Sequence, residues 1–558
     1  MKYLLWTWVL GFLFQLGSGG DQPAFAGTYY VAPNGDDGAD GSISSPWKTI
    51  GFAVESTGPG DTILVRGGTY QERVIIFRGA RGMRQHPMRG GMRMKRGSRR
   101  LPPTAGRYRE RRMPSAAAAP GAYWVLKAYP GEEVILESDG PLRIRVPYVR
   151  VEGIHFVGSG VGTVGSSARG GAHHVQFLRN RFTGSGFRYS AISVSGDNNL
   201  VEGNIVLIDE QDGTLDHGIY VHSGKDNIIR NNYVSGMQGY GIHIFYQSGR
   251  RNTGPTSLSG TVVENNVITN SRQRSGIIVA TAHGRMGLEK LTIRNNLIFG
   301  NRGNGIDLRP NIKDIEIYNN TIYGNEMGGI TMGLMAKQGG TIENVVIRNN
   351  IVVIDGNDSY HILSNSEVVK SSEVDHNLFW PGPIRNDGGW DKAGNLVASP
   401  DFVNAAAFDF RLREKSAARD AGADLGVPFS GKAPDLGALE TGEQKSLSIP
   451  IYDFHASGIG NLVKLTWSTF PQTGEVGFEI ERSSGESGKF QKVGFVPGTE
   501  PTAIVQNYEF LDENLAAGIY QYRIKKVDRK GNFHHSPIIE VRLKGVAEKT
   551  AENVSQGQ

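Results

Sequence analysis

The chain has 558 residues, 76 of them glycine, no cysteine, and a formal net charge of +5. That length exceeds one ordinary domain, and glycine at about twice average usage points to frequent tight bends. The lack of cysteine excludes a disulfide scaffold and a Cys-linked lipid anchor, and it restricts any metal to oxygen or imidazole ligands.

Residues 1–26 have the form of a secretory signal. Lys2 precedes an apolar stretch from Leu4 to Leu16, and Ala24-Phe25-Ala26 supplies a small-x-small cleavage site. The apolar run falls short of the ~20 residues that a membrane-spanning helix needs. A secreted protein with a mature start near Gly27 is therefore expected, with no transmembrane segment.

From Tyr29 the chain reads YYVAPNGDDGADGS, then SPWKTIGFAVE, then GDTILVRGGTYQERV. This opening resembles that of secreted right-handed parallel β-helix proteins of the pectate-lyase-like superfamily, including the DUF1565-type proteins and the calcium-dependent polysaccharide lyases of family nine. The resemblance implies the fold, export and a polysaccharide context, and leaves the reaction open. Ser45 to Glu55 reads as a short capping helix and Thr62 to Val65 as a strand of the first turn; a solenoid needs such a cap over its open core.

Residues 78–121 break the pattern as a basic low-complexity insert. From Arg78 to Arg112 there are 13 Lys or Arg against Glu110 alone, a net +12, so with a total of +5 the rest of the chain carries −7. Such a run reads as a disordered loop, or as an electrostatic tether for an anionic polysaccharide, a negatively charged cell surface or nucleic acid. Tyr108 and His86 are its only rings, which gives no stacking platform, and no nucleic-acid partner is expected.

The fold resumes at Trp124, and from about His174 to Trp380 one phrase repeats. An Asn or Asn-Asn pair is followed by an apolar pair and then, most often nine or ten residues on, by Gly-Ile. The anchors Asn180, Asn204, Asn232, Asn266, Asn296, Asn320, Asn350 and Asn377 are spaced 24, 28, 34, 30, 24, 30 and 27 residues apart, about one solenoid turn each. Short runs such as Leu291-Thr292-Ile293-Arg294 alternate with period two and are too short for helices. The fold class is therefore all-β: a right-handed parallel β-helix followed by a small β-sandwich. Asn suits the bends because it tolerates a left-handed backbone, and because amides stacked on successive turns can hydrogen-bond along the stack.

Loop lengths single out one region. Anchor to Gly-Ile takes 9 residues from Asn232, Asn296 and Asn320 and 10 from Asn266, but 14 from Asn204, where the acidic run Asp209-Glu210-Gln211-Asp212-Gly213-Thr214-Leu215-Asp216 is inserted. If Ile219, Ile242, Ile277, Ile306 and Ile330 point inward, alternation puts Tyr220, His243, Ile278, Asp307 and Thr331 in one outward row. A second row holds His222, Phe245, Ala280, Arg309 and Gly333. Loops leaving one side of a rigid stack can wall a groove over such a floor.

β-Elimination of a uronate requires a neutralised carboxylate, a base for the adjacent C–H and an acid for the leaving oxygen. His217, His222 and His243 are the candidate catalytic groups, because imidazoles exchange protons near neutral pH. Tyr220, Tyr246, Arg250, Arg251 and Arg309 are the candidate substrate-binding residues, with His283, Arg285 and Lys337 on neighbouring loops. Asp209, Glu210, Asp212 and Asp216 form a hard-oxygen set suited to Ca2+, although they lack the twelve-residue calcium-loop pattern. The family-nine lyases use a lysine base; Lys225 is the lysine nearest the acidic insert, but it sits at a turn entry and the role is not transferred. A hydrolase of the polygalacturonase type needs two carboxylates at a set separation, and that signature is missing.

Beyond Asn377 the repeats fade. Ser416-Ala417-Ala418-Arg419-Asp420-Ala421-Gly422 and Asp435-Leu436-Gly437-Ala438-Leu439-Glu440 resemble the closing phrases of many secreted β-helix proteins and are expected to form the final turns and a C-terminal cap, ending the β-helix domain of residues 27–442. Residues 443–450 form a linker and residues 546–558 a polar tail. Between them, residues 451–545 alternate at sandwich spacing, and Trp467 with the Gly518-Ile519-Tyr520-Gln521-Tyr522-Arg523 strand resembles a fibronectin type III-like module. The expectation is a secreted, monomeric protein active on an acidic polysaccharide, most simply a lyase; the alternative is a non-catalytic glycan-binding or adhesion protein.

Overall fold

The structure is a computed structural model and describes residues 26–77, 122–138, 140–163, 171–184, 187, 190–208, 216–246, 257–282, 287–334, 340–355, 359–382, 394–441, 451–469, 475–484, 489–498, 506–528, 533–536 and 538–543. The basic run from Arg78, and Asp209, Glu210, Asp212, Arg250, Arg251, His283, Arg285 and Lys337, lie outside these residues.

The chain winds as a parallel β-helix with three sheets, of 14, 12 and 10 strands among the described residues. One turn shows the pattern. Val262–Glu264 lies in sheet I, Val267–Thr269 in sheet II and Ile277–Thr281 in sheet III, after which Leu288–Arg294 returns to sheet I one turn on. Every strand is three to seven residues here, and each pairs in register with its equivalent above and below. Ile219, Ile242, Ile277, Ile306 and Ile330 are fully buried and stack in one core column, as alternation requires. The helix Ile50–Ser56 covers the first turn. Thr49 caps it by accepting from the Phe52 amide, and Glu72 accepts from the free amides of Ile50 and Gly51.

The Asn pair divides two tasks that the sequence assigns to one residue. The residue before each anchor takes the left-handed conformation: Asn231, Asn265, Asn295, Asn319 and Asn349 have φ between 52° and 56°, and Gly203 serves the same position. The anchor itself is buried and joins a ladder in which each carboxamide oxygen accepts from the previous turn, running from Asn180 to Asn395. The Gly of each Gly-Ile has a different cause. A Cβ on Gly241 would lie 2.3 Å from Ile268 Cγ2 and 2.8 Å from the Gly276 carbonyl, so only glycine lets the turns approach this closely.

The closing segment departs from the expected cap. Phe402–Asn404 and Asp409–Leu412 form an antiparallel pair rather than a further turn, and Phe402, Phe410, Leu412, Ala418, Leu436 and Leu439 pack along the outer side of sheet II. The reason lies in that sheet's composition. Ile205, Tyr233, Val267, Leu297, Phe299, Ile351 and Leu378 face outward there while their neighbours face the core, so both faces of sheet II are apolar and the outer one is covered by this strap. The Gly437 amide donates to the Asn349 carbonyl and the Ala438 amide to the Thr321 hydroxyl oxygen, which fixes it in place. The C-terminal module has its own core around Trp467, Phe478 and Tyr522, between antiparallel sheets.

Candidate functional site

The outer face of sheet III carries the ring-rich region. Its register places Tyr220 beside His243, His243 beside Ile278, Ile278 beside Asp307 and Asp307 beside Thr331, which is the outward row that alternation predicts. Phe245 pairs with Ala280 in the second row. The imidazole of His243 stacks on the Tyr220 ring at 4.8 Å between centroids, with 23° between planes. His217 meets His243 edge-on at 4.4 Å, and His222 lies against Tyr220 at 5.3 Å. The three candidate imidazoles and Tyr220 thus form one contiguous cluster.

His217 reaches this face although it shares parity with Ile219, because the close approach at Gly218 places two successive residues toward the core. A Cβ on Gly218 would fall 2.3 Å from Val234 Cγ1, inside the solenoid. His217 is buried, and its Nδ1 accepts from the Tyr240 amide at 3.1 Å. Gly239 supplies the room, since a Cβ there would lie 2.3 Å from that nitrogen.

Tyr240 joins two halves of the site. Its ring lies 5.4 Å from His217 and 5.1 Å from His243, and it packs with Ile278 and Ala280, outward-facing residues that are only 2% and 3% exposed. Its hydroxyl meets Arg309 Nη2 at 3.1 Å. Arg309 also donates to Asp307 Oδ2 from Nε and Nη2 at 3.3 and 3.2 Å, while the Thr331 hydroxyl donates to Asp307 Oδ1. These contacts are longer than the usual ~2.7–2.9 Å of a charge-assisted bond, and both converge on one oxygen rather than engaging the carboxylate fork to fork.

Burial sets the protonation states. It pushes His217 and His222 down to about 4, with the Arg274 charge adding to the effect on His217. It pushes His243 down to about 2, assisted by His217 and Arg309. The Tyr220 phenol is pushed up to about 12, and burial also raises Asp216. At neutral pH the cluster therefore holds neutral imidazoles against a protonated phenol.

Two expectations need correction or remain outside view. Tyr246 does not lie on the outer face of sheet III: it sits on the inward parity of Ile242–Tyr246, belongs to the main core cluster and is 7% exposed. Of the acidic set only Asp216 is described; it is buried, and no group of three His, Asp or Glu side chains suited to a metal occurs among the described residues. Tyr240 and Asp307 are the members that residue choice overlooked. Asp307 was in the predicted row, whereas Tyr240 stands before its strand, where alternation has not begun.

The fold and the site define a right-handed parallel β-helix with an imidazole and tyrosine cluster on one outer face. A family described as "Right handed beta helix region" matches residues 149–308 and 256–381. A 64-residue segment is 39% identical to Pectate lyase PEL9 of Emericella nidulans, covering 12% of this chain and 14% of that protein. Another of 47 residues is 38% identical to the uncharacterized protein YwoF of Bacillus subtilis, covering 8% and 10%. The chain thus matches only about a seventh and a tenth of the length of these relatives. The crystal structure of pectate lyase Pel9A is similar over 75% of this chain and 97% of its own, at 16% identity and a TM-score of 0.44.

Proposed function

We propose that this is a secreted polysaccharide-active protein that cleaves a uronate-containing chain by β-elimination on the outer face of sheet III. The observation that carries the reading is the stack of His243 on Tyr220 with His217 against it, neutral imidazoles packed against a protonated phenol on an outward sheet face. The local likeness to a pectate lyase supports the same chemistry. No described helix is long and apolar enough to cross a membrane.

Arg309 takes the sugar carboxylate and so acidifies the neighbouring C–H. An imidazole removes that proton, the C–H electron pair becomes the new C=C bond, and the bond to the glycosidic oxygen breaks. The Tyr220 phenol gives its proton to the departing oxygen; the imidazolium then loses its proton to water and the phenolate takes one up, which restores both groups. An imidazole held this low is a weak base in the free protein; an anionic sugar brought into the buried site favours the imidazolium and strengthens it. Calcium would neutralise a carboxylate if the acidic run at Asp209 holds it. Asp216 alone supplies no ligand set, so no step is assigned to the ion.

A second reading, glycan binding without cleavage, is favoured by one contact: Asp307 already lies against Arg309 and competes for the cation a uronate requires. Absorbance of unsaturated uronides separates the two. Residues 27–558 are incubated with a panel of acidic polysaccharides, with calcium and with chelator. A rise that Tyr220→Phe lowers by ~100-fold or more supports elimination. Retained binding with no rise on any polyuronate refutes it for that panel, and a rise abolished by chelator places the metal in the reaction.

A further inference from the structure

We infer that His217 is a fixed hydrogen-bond donor that positions the ligand, and that of the two imidazoles in mutual contact, His217 and His243, the proton acceptor is His243. The inference rests on the elimination reading above for its catalytic meaning, and on geometry alone for the state of His217.

His217 Nδ1 accepts from the Tyr240 amide at 3.1 Å. A neutral imidazole that accepts on Nδ1 carries its proton on Nε2, so at that nitrogen the ring acts only as a donor. The amide that locks it is itself held. Gly218 N donates to the Tyr240 carbonyl at 3.1 Å and Gly239 N to the Asp216 carbonyl at 2.9 Å, so the segments around His217 and Tyr240 are clamped to each other on both sides. Glycine at 239 leaves the ring no Cβ to displace it.

Taking up a proton at Nδ1 would set two N–H groups against each other, break this bond and leave a buried amide without an acceptor. His217 is therefore unsuited to the acceptor's part, for a reason separate from its burial. His243 carries no such commitment. Its Nδ1 is enclosed with no hydrogen-bond partner, and its ring is held by stacking on Tyr220 and by the edge of His217, so a change of protonation breaks no hydrogen bond there. A base must gain and lose a proton without unmaking the site, and of these two rings only His243 can.

The state of His217 is read directly by nitrogen NMR of protein labelled with 15N-histidine. A protonated Nε2 and bare Nδ1, persisting between pH 5 and 8, is the expected signature; a protonated Nδ1, or rapid exchange between tautomers, overturns the proposal whatever the activity. The kinetic arm uses conservative variants on a polyuronate that the wild type cleaves. His217→Gln keeps an amide donor near the Nε2 position and is expected to retain turnover within roughly ten-fold and the pH profile of the wild type, whereas His243→Gln loses on the order of a hundred-fold or more. Survival of activity in His243→Gln with loss in His217→Gln reverses the assignment. If the wild type cleaves no polyuronate, the elimination reading fails by itself and the NMR signature still decides whether His217 is a fixed donor.

Discussion

Gly239→Ala tests whether the site is built by backbone proximity. The added Cβ would lie 2.3 Å from His217 Nδ1, 2.8 Å from its Cε1 and 2.9 Å from the Asp216 carbonyl oxygen. Ordinary contacts begin near ~3.5 Å, so the ring must withdraw by about 1 Å. It has nowhere to go without cost, because Tyr240 and His243 pack against it at centroid distances of 5.4 and 4.4 Å. Overpacking of this kind costs about 1–3 kcal/mol. Losing the bond from the Tyr240 amide leaves a buried donor unmet, for about 1–3 kcal/mol more. Gly239 has no left-handed φ, so the penalty is steric rather than conformational. Equilibrium urea denaturation followed by circular dichroism should show a loss of about 2–6 kcal/mol, and the His217 nitrogen signature should change. Gly58→Ala is the control, since nothing lies within 4 Å of a Cβ there. A Gly239→Ala protein with the wild-type urea midpoint and an unchanged His217 signature would refute the reasoning.

Asn296→Ala removes five hydrogen bonds: three donated by Nδ2 to Val263, Arg294 and Asn320, and two accepted by Oδ1 from Asn266. It should destabilise by about 3–5 kcal/mol, against roughly 1 kcal/mol for Asn395→Ala at the half-buried end of the ladder, where water substitutes; denaturation midpoints compare them. Acidification should destabilise the fold through the buried histidines. Their folded pKa values of about 4 for His217 and about 2 for His243 lie below the ordinary 6.5, so the unfolded chain takes up protons first. Their contribution is complete above pH 6.5 and is lost progressively as pH falls to about 4 for His217, worth at most about 3 kcal/mol, and further for His243. Stability curves that are flat from pH 7 to pH 4 would contradict this. Tyr246→Phe, within the core, should leave polysaccharide turnover within two-fold of wild type, whereas Tyr220→Phe should not; initial rates on one substrate decide.

The solenoid was legible because its causes repeat: a buried amide, a left-handed bend and a close approach each leave the same residue type at the same phase of every turn. Sheet III was legible for a similar reason, since the Gly-Ile phrase fixes phase and alternation then orders Tyr220, His243 and Asp307 along the axis. Alternation alone fails where phase changes: Tyr240 was missed, and His217 was found by its imidazole rather than by counting. His217 and Tyr240 precede the glycine that shifts the alternation, so counting back from Ile219 or Ile242 puts their side chains on the wrong face. Tyr246 follows the count faithfully, and its inward parity could have excluded it, but a polar ring beside the loop outweighed the arithmetic. The strap left a visible trace as well. Segments such as Leu297-Ile298-Phe299 and Ile351-Val352-Val353 are apolar without alternation, which in a solenoid means that something covers the outer face. The sequence held no comparable sign of which segment would do so, because the covering residues from Phe402 to Leu439 follow no period and find their partners only once the stack exists.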